Sequence, residues 1–415
     1  MFMAVRSCWP LFLGIGLIGL GVGMQGSLLG VRASLEGFDT TITGLIMSGY
    51  YIGFFVGSIC VPAIIKQVGH IRTFGAMASM ASTAILVHAV YVNPWVWMAM
   101  RFVTGFSIIG IWLVAESWLN AESTNQTRGS LLSFYMLVVF LGIGGGQFLL
   151  NLGDPKSYEL FTLISILVSL AVIPILITAT KAPQFHAPKA VKIKQLYALV
   201  PLGVVGSFLI NGCYAMIFGM GAVYATEIGM SVREVTLFMG SLIFSGVLFQ
   251  WPIGKYSDRV DRRLVIIGCS LFATLSAVVA ALSGVDGSWL LFLFASLYGG
   301  FCLPLYSLCS AHVNDNLSAD QMVAANATLL LVGGLGSVGG PLLSALFMAQ
   351  LGSQGFFWGL ALPSAGIGAF AAWRIQRRAP VSAEERSVYT VRAPTPIGAT
   401  FDAQIEEETP PQQAL

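Results

Sequence analysis

The chain has 415 residues, of which 56% are hydrophobic and only 10% charged, and its formal net charge is +2. A mean hydropathy of +0.80 excludes an ordinary soluble domain. So small a net charge gives no reason to expect a nucleic-acid partner.

A helix that crosses a bilayer needs about 20 mostly apolar residues. Long uncharged runs supply twelve such helices. The first is predicted over 10–33, after one basic residue, Arg6. It is too long for the apolar core of a secretory signal and lacks a convincing small-x-small cleavage site, so an uncleaved span is expected. It carries Gly-x-x-x-Gly at 19/23 and 26/30, a spacing that lets membrane helices approach closely. The next spans are 41–65, 72–92 and 95–119, the last two parted by Asn93-Pro94. They are followed by 128–150, which contains "GGG" at 144–146, and by 159–179.

Between the halves runs "KAPQFHAPKAVKIKQ", with lysines and prolines but no acid, which reads as a linker over 181–196. The second half repeats the pattern at 197–225, 234–254, 264–284, 288–312, 321–350 and 355–375; "QLGSQG" parts the last two. Residues 376–415 are rich in proline and carry the acidic run Glu406-Glu407-Glu408, so a disordered tail is expected. The runs do not alternate in hydropathy, which excludes a membrane β-barrel. Cys8, Cys60, Cys213, Cys269, Cys302 and Cys309 show no metal-ligand spacing and are expected as free thiols.

Seventeen of the 21 Lys and Arg fall in segments on the side of the two termini. Arg32, Lys156 and Arg233 fall on the other side, and Arg101 lies within a span. This bias predicts cytoplasmic termini. The sequons at Asn125, Asn316 and Asn326 are then discounted as glycosylation sites.

The halves echo each other. "TGF" (104–106) and "GGF" (299–301) stand at the same offset as "GGG" (144–146) and "GGP" (339–341). "GKYSDRVDRR" (254–263) is the densest charge cluster in the chain and answers "PAIIKQVGHIR" (62–72). In it Gly254, Asp258, Arg259, Arg262 and Arg263 resemble the Gly-x-x-x-Asp-Arg-x-Gly-Arg-Arg hallmark of the major facilitator superfamily, with Asp261 in place of the second glycine. The first copy is eroded: Pro62, Lys66, Gln67 and His70 replace its key residues. Arg101-x-x-x-Gly105 and "ESTNQTRGSL" (122–131) are similar to further family patterns. "RFVTGFSIIGIWLVAESWLN" with "FQWPIGKYSDR" resembles a poorly characterised bacterial branch of transporters.

The resemblance implies an all-α membrane protein with twelve transmembrane helices in two pseudo-symmetric bundles, residues 1–180 and 197–375. It implies a secondary transporter of a small solute, proton-coupled, in the bacterial inner membrane and monomeric, with no cofactor. Asp258, Arg259, Arg262 and Arg263 would form a cytoplasmic gate, or the arginines alone would anchor topology. An acid at the carbonyl end of a helix is unfavourable without a partner, so Asp258 needs one of those arginines or a neighbouring helix N-terminus. Gln250 and Trp251 would brace this gate.

Helices 1, 4, 7 and 10 line the family's cavity, which makes Gln25, Arg101, Trp112, Asn211, Tyr214, Tyr298 and Tyr306 the candidate solute contacts; packing or helix–helix hydrogen bonding would explain each as well. Phe218 shares a face with Asn211 and Tyr214. Arg101, Gly105, Ile108 and Trp112 form one stripe at 100° per residue. Ionisable residues at membrane depth are functional candidates by default. Arg101 is therefore read either as a cation in the pathway or as a residue snorkelling to the outer interface. Glu116 is a candidate for proton coupling with Arg101, or else a structural partner of Arg128 or Arg72.

The Gly-Pro pair of helix 5 in drug–proton antiporters is absent there and stands instead in helix 11, as Gly340-Pro341, which speaks against that branch. No phosphate-binding loop or catalytic constellation is present, so ATP-driven transport and membrane enzymes are not expected. A non-transporting scaffold or sensor with the same fold is the alternative that the eroded first copy leaves open. The orientation is directly testable. Lys156→Cys should react with an impermeant thiol reagent added outside and Lys192→Cys should be protected; the reverse pattern would overturn the assignment.

Overall fold

The structure is a computed structural model, and it describes residues 8–123, 125–177, 192–282, 289–317, 319–377 and 389. Most of the linker and of the C-terminal tail, together with Arg6, lies outside the described residues, as does the Arg128 side chain. The first six helices are α1 (Trp9–Leu35), α2 (Thr40–Val68), α3 (His70–Val90), α4 (Pro94–Glu122), α5 (Asn125–Leu149) and α6 (Glu159–Ile177). A short helix, Ile193–Leu199, precedes α7 (Pro201–Glu227), α8 (Val232–Ser257) and α9 (Arg262–Leu282). The tenth span, α10, is broken into Trp289–Cys302 and Leu305–Asn314, and α11 (Ala319–Leu351) and α12 (Gly355–Ile375) complete the chain. Among the described residues, twelve helices are long and apolar enough to cross a membrane.

Local chemistry sets the helix starts. Asn93 accepts from the backbone N–H of Trp95 and Val96 ahead of Pro94, so α4 begins where the Asn-Pro pair requires. Asp39 does the same for α2 through Thr41 and Ile42. Ser231 and Glu234 form a capping box on α8. The break in α10 was not expected from its uncharged run. Pro304 lacks an N–H and its ring clashes with the preceding turn. The freed carbonyl of Leu303 accepts a hydrogen bond from the Tyr214 hydroxyl of α7.

The two halves repeat the same packing scheme: α1 on α5 and α2 on α4 in the first, α7 on α11 and α8 on α10 in the second. The small residues of the sequence echoes lie at these equivalent crossings. A Cβ at Gly105 would strike the Tyr50 carbonyl of α2, and one at Gly299 the Leu242 carbonyl of α8. Gly146 is pressed against the Leu20 carbonyl of α1, and Gly340 against the Gly212 carbonyl of α7.

Several contacts between the halves lie at the end of the bundle away from the termini. There Thr40 Oγ1 donates to Glu227 Oε1 at 2.6 Å and Asn151 Nδ2 to Thr236 Oγ1 at 3.1 Å. Gly44 faces Pro341 and Ala345, and Gly30 faces Ala222 and Val223.

The crossings predict a contrast between two glycines. Gly105→Leu must push α2 off α4 and should cost on the order of 3 kcal/mol, read as a lower unfolding temperature in detergent. Gly268→Ala, whose Cβ would meet nothing, should be neutral or stabilising by up to about 1 kcal/mol. Equal effects at the two positions would contradict the crossing geometry.

Candidate functional site

Between the halves lies a cavity of about 200 Å³, walled by α1, α2, α4, α5, α7, α8 and α11. Gln25, Arg101, Trp112, Asn211, Tyr214 and Phe218 all lie on its wall. Their polar groups are not equally available. Asn211 donates to the Ser207 carbonyl one turn back, and the Tyr214 hydroxyl is committed to Leu303. Those two side chains present mainly surface to the cavity.

Arg101 is different. It is 4% exposed, and its guanidinium carbon sits 4.5 Å from the centre of the Tyr50 ring. The close α2–α4 crossing at Gly105 presses Tyr50 onto it. The Arg101 Nε is buried without a hydrogen-bond partner, and no carboxylate pairs with the side chain among the described residues. Its enclosure argues against snorkelling. Across the cavity wall Gln25 is also 4% exposed, and its Nε2 is likewise buried without an acceptor.

Several groups on the wall come from helices outside the expected set of 1, 4, 7 and 10. Tyr50 and Tyr51 enter from α2, and Tyr135 and Gln147 from α5. The signal was present in "SGYYIGFF", where two tyrosines stand mid-span in an uncharged run. Gln147 is tied down: Ser27 Oγ donates to its Oε1 at 2.5 Å, and its Nε2 donates to the Gly23 carbonyl at 2.7 Å.

Glu116 is fully buried, one turn beyond Trp112. The hydroxyl of Tyr135, a cavity residue, donates to Glu116 Oε1 at 3.2 Å. Arg72 is exposed and forms no ion pair with Glu116 among the described residues.

Two expected solute contacts stand elsewhere. Tyr298 is fully buried with its hydroxyl 3.1 Å from Ser364 Oγ of α12, so it packs α10 on α12 and does not reach the cavity. Tyr306 follows the α10 break, lies behind the Tyr214 ring at 6.5 Å and is not on the wall.

At the termini end, "GKYSDRVDRR" forms two ion-pair units. Arg262 is 1% exposed; its Nε lies 2.9 Å from Asp315 Oδ2 in an ion pair, and its NH2 group donates to Asp258 Oδ1 at 3.2 Å, so it joins the ends of α8, α9 and α10. Arg263 clasps Asp261 at 2.7 Å. Burial opposes the Asp261 charge, but the hydrogen bonds from Arg263 outweigh it and hold the carboxyl below the usual carboxylate range. Arg259 is exposed and stands outside both units. Asp315, in "HVNDN", was not read from the sequence as their partner.

Gln250 Nε2 donates to Ser307 Oγ at 2.8 Å, while Trp251 is exposed with the Lys255 ammonium over its ring. Of the tail beyond Arg377, Tyr389 is described, and it is packed rather than free. Its N–H donates to Asp258 Oδ1 at 2.9 Å, and its ring lies where a Cβ on Gly254 would be.

Comparisons with known proteins agree with this geometry. A family model described as Major Facilitator Superfamily matches residues 11–260 and 202–397. An "Uncharacterized MFS-type transporter YcaD" of Escherichia fergusonii is 29% identical over 74% of this chain and 79% of its own length. A Yersinia pestis protein described in similar terms is 29% identical over 74% of this chain and 80% of its own. Among solved structures, the nucleoside transporter NupG aligns with TM-score 0.72 at 14% identity, covering 91% of this chain and 99% of that one. A bacterial homologue of the human lysosomal transporter Spinster, inward-facing and unoccupied, aligns with TM-score 0.68 at 12% identity over 97% of each chain. At these identities the structural likeness concerns the fold alone.

The ion-pair units predict unequal arginines. Arg262→Ala removes the cation beside the buried Asp315 side chain, which is 3% exposed, and should cost about 3 kcal/mol. Arg259→Ala should leave the unfolding temperature unchanged. Asp261 should add a pH signature: its contribution is complete above about pH 4, its unfolded value, and is lost as pH falls through the lower folded value. Asp261→Asn should therefore narrow the gap to wild type in acid; a constant gap from about pH 7 to about pH 3 would contradict the pairing.

Proposed function

Because the chain belongs to the Major Facilitator Superfamily, we propose that it is a secondary active transporter that moves a small solute through the central cavity by alternating access. The observation that carries this reading is the cavity itself: it lies at the interface of two pseudo-equivalent halves and is walled by both. At the far end the halves touch through small residues and two hydrogen bonds, contacts that would have to part when the bundles rock. With those contacts made, the cavity is to be reached from the end that carries the termini. The basic residues on that end support a cytoplasmic assignment, hence an inward-facing state in a bacterial inner membrane. A monomer suffices, since both halves of the pathway are in one chain.

Proton coupling has a candidate route. The carboxyl of Glu116 is screened from solvent but is one hydrogen bond from Tyr135, on the cavity wall. A proton taken by Glu116 would change the charge behind that wall, and a solute would sense it through Tyr135 and Trp112, whose rings stand 6.4 Å apart. The eroded first gate copy does not weaken the reading. His70 is buried there with Nε2 2.7 Å from Ser117 Oγ, a hydrogen bond that ties α3 to α4.

Proteoliposomes loaded with a pH-sensitive dye and challenged with aromatic acids, amines, sugars and nucleosides test both parts. A solute-evoked, saturable internal pH change is expected from wild type. Glu116→Gln should abolish that proton signal and keep solute counterflow. Counterflow with no proton signal in wild type would remove the coupling. No flux of any probe by a folded, correctly inserted protein would favour a scaffold or sensor.

A further inference from the structure

The chemistry of the cavity wall goes further than its location. Its surface is mainly apolar and aromatic, with Tyr50, Tyr51, Phe54, Trp112, Phe140 and Phe218 around it. Into this surface come two buried donors without acceptors: the Arg101 Nε and the Gln25 Nε2. Arg101 keeps its charge in any protein environment, because guanidinium is not deprotonated. A cation taken out of water at membrane depth costs several kcal/mol unless it is answered. The Tyr50 ring answers part of this, since a desolvated cation–π contact contributes about 2 kcal/mol. Glu116, the nearest candidate acid along α4, stands about 22 Å away along the helix axis and cannot pair with it.

We propose that the missing partner is the solute: a small organic anion, a carboxylate on an aromatic or otherwise flat apolar body. The anion would take the guanidinium fork and the Gln25 amide, and the body would lie against the aromatic wall. This rests on the transporter reading but is separable from it, because it is a statement about binding. A neutral solute would leave the cation unanswered, and an organic cation would meet like charge at the only charged residue on the wall described. Arg and Lys differ here, since only the planar fork meets a carboxylate through two parallel hydrogen bonds.

The test is equilibrium binding to the purified full-length protein, read by quenching of tryptophan fluorescence and by thermal shift. The probes are benzoate, phenylacetate and indole-3-acetate, each beside its amide and the matching amine. Saturable binding of at least one acid is expected, about tenfold or more tighter than its amide. Arg101→Gln should erase the difference between acid and amide, and Gln25→Leu, a milder change, should narrow it. Acids no better than amides or amines, or an acid preference intact in Arg101→Gln, would overturn the proposal. So would saturation by chloride or phosphate with no further effect of the organic acids. None of these results bears on whether a neutral solute is transported, which flux decides separately.

Independent contacts at the termini end carry a second inference. Asp258 Oδ1 is shared between Arg262 and the backbone N–H of Tyr389, and the Tyr389 ring fills the space over Gly254, with its buried hydroxyl near Ser307 of α10. We infer that Tyr389 is a latch, its ring over Gly254 holding the α8 and α10 ends in the present state. The readout is alkylation of Leu330→Cys, a cavity position, in a variant lacking the native cysteines. From the termini side, Tyr389→Ala should slow labelling several-fold as the balance shifts to the opposite state, and Tyr389→Phe should leave it unchanged. Equal rates in wild type and Tyr389→Ala, or faster labelling in Tyr389→Ala, would overturn the latch.

Discussion

Helices in a bilayer have no hydrophobic reason to adhere, because lipid chains are as apolar as their side chains. What holds this bundle together must come from close packing and from polar contacts. The glycines supply the first: at Gly105, Gly146, Gly299 and Gly340, one helix rests on the backbone of another with no side chain between. Each contact is made at an equivalent crossing in both halves. Each half is built tightly within itself, and α2 packs closely on α11 across the interface, where Gly44 faces Pro341 and Ala345. A cavity at that interface follows from how the packing is distributed.

The same distribution decides where charge can be kept. At the termini end Arg262 is as buried as any core residue, yet it is answered by Asp258 and Asp315 from two other helices. Breaking such a set leaves an unpaired buried charge, so the three helix ends move together. Because α8, α9 and α10 belong to one half, this cluster stiffens that half and leaves its motion against the other half free. Sequence order alone suggested a gate; the geometry adds a clamp within the bundle.

The twelve spans, their repeat and the halves were legible because each depends on local composition: long apolar runs, a proline after asparagine, small residues at a fixed offset. The cavity wall was legible only in part. Gln25, Arg101, Trp112, Asn211 and Tyr214 reached it because they are polar or amphipathic at mid-depth on helices that face the interface. Tyr298 and Tyr306 did not, because which helix lines a cavity does not say which of its faces does: Tyr298 turns its hydroxyl to Ser364 of α12, and Tyr306 stands beyond the Tyr214 ring. Tyr50 and Tyr135 stand on helices outside the set expected to line the cavity. Asp315 pairs with Arg262, a residue far earlier in the chain and on another helix, a relation that no local pattern encodes.

Arg262 and Arg101 are thus the same side chain in nearly the same degree of burial, 1% and 4% exposed, under opposite electrostatic conditions. The first is neutralised within the fold and contributes to holding it. The second has a ring on one side and an open cavity on the other. A buried cation that the fold does not neutralise lowers stability, and a protein whose only requirement were to stand in the membrane would do better with methionine or leucine there. The cost is borne on the wall of the cavity between the halves. On the reading proposed above, a partner that comes and goes is bound by a charge the fold has not already satisfied, which is why this guanidinium can stand without a carboxylate of its own.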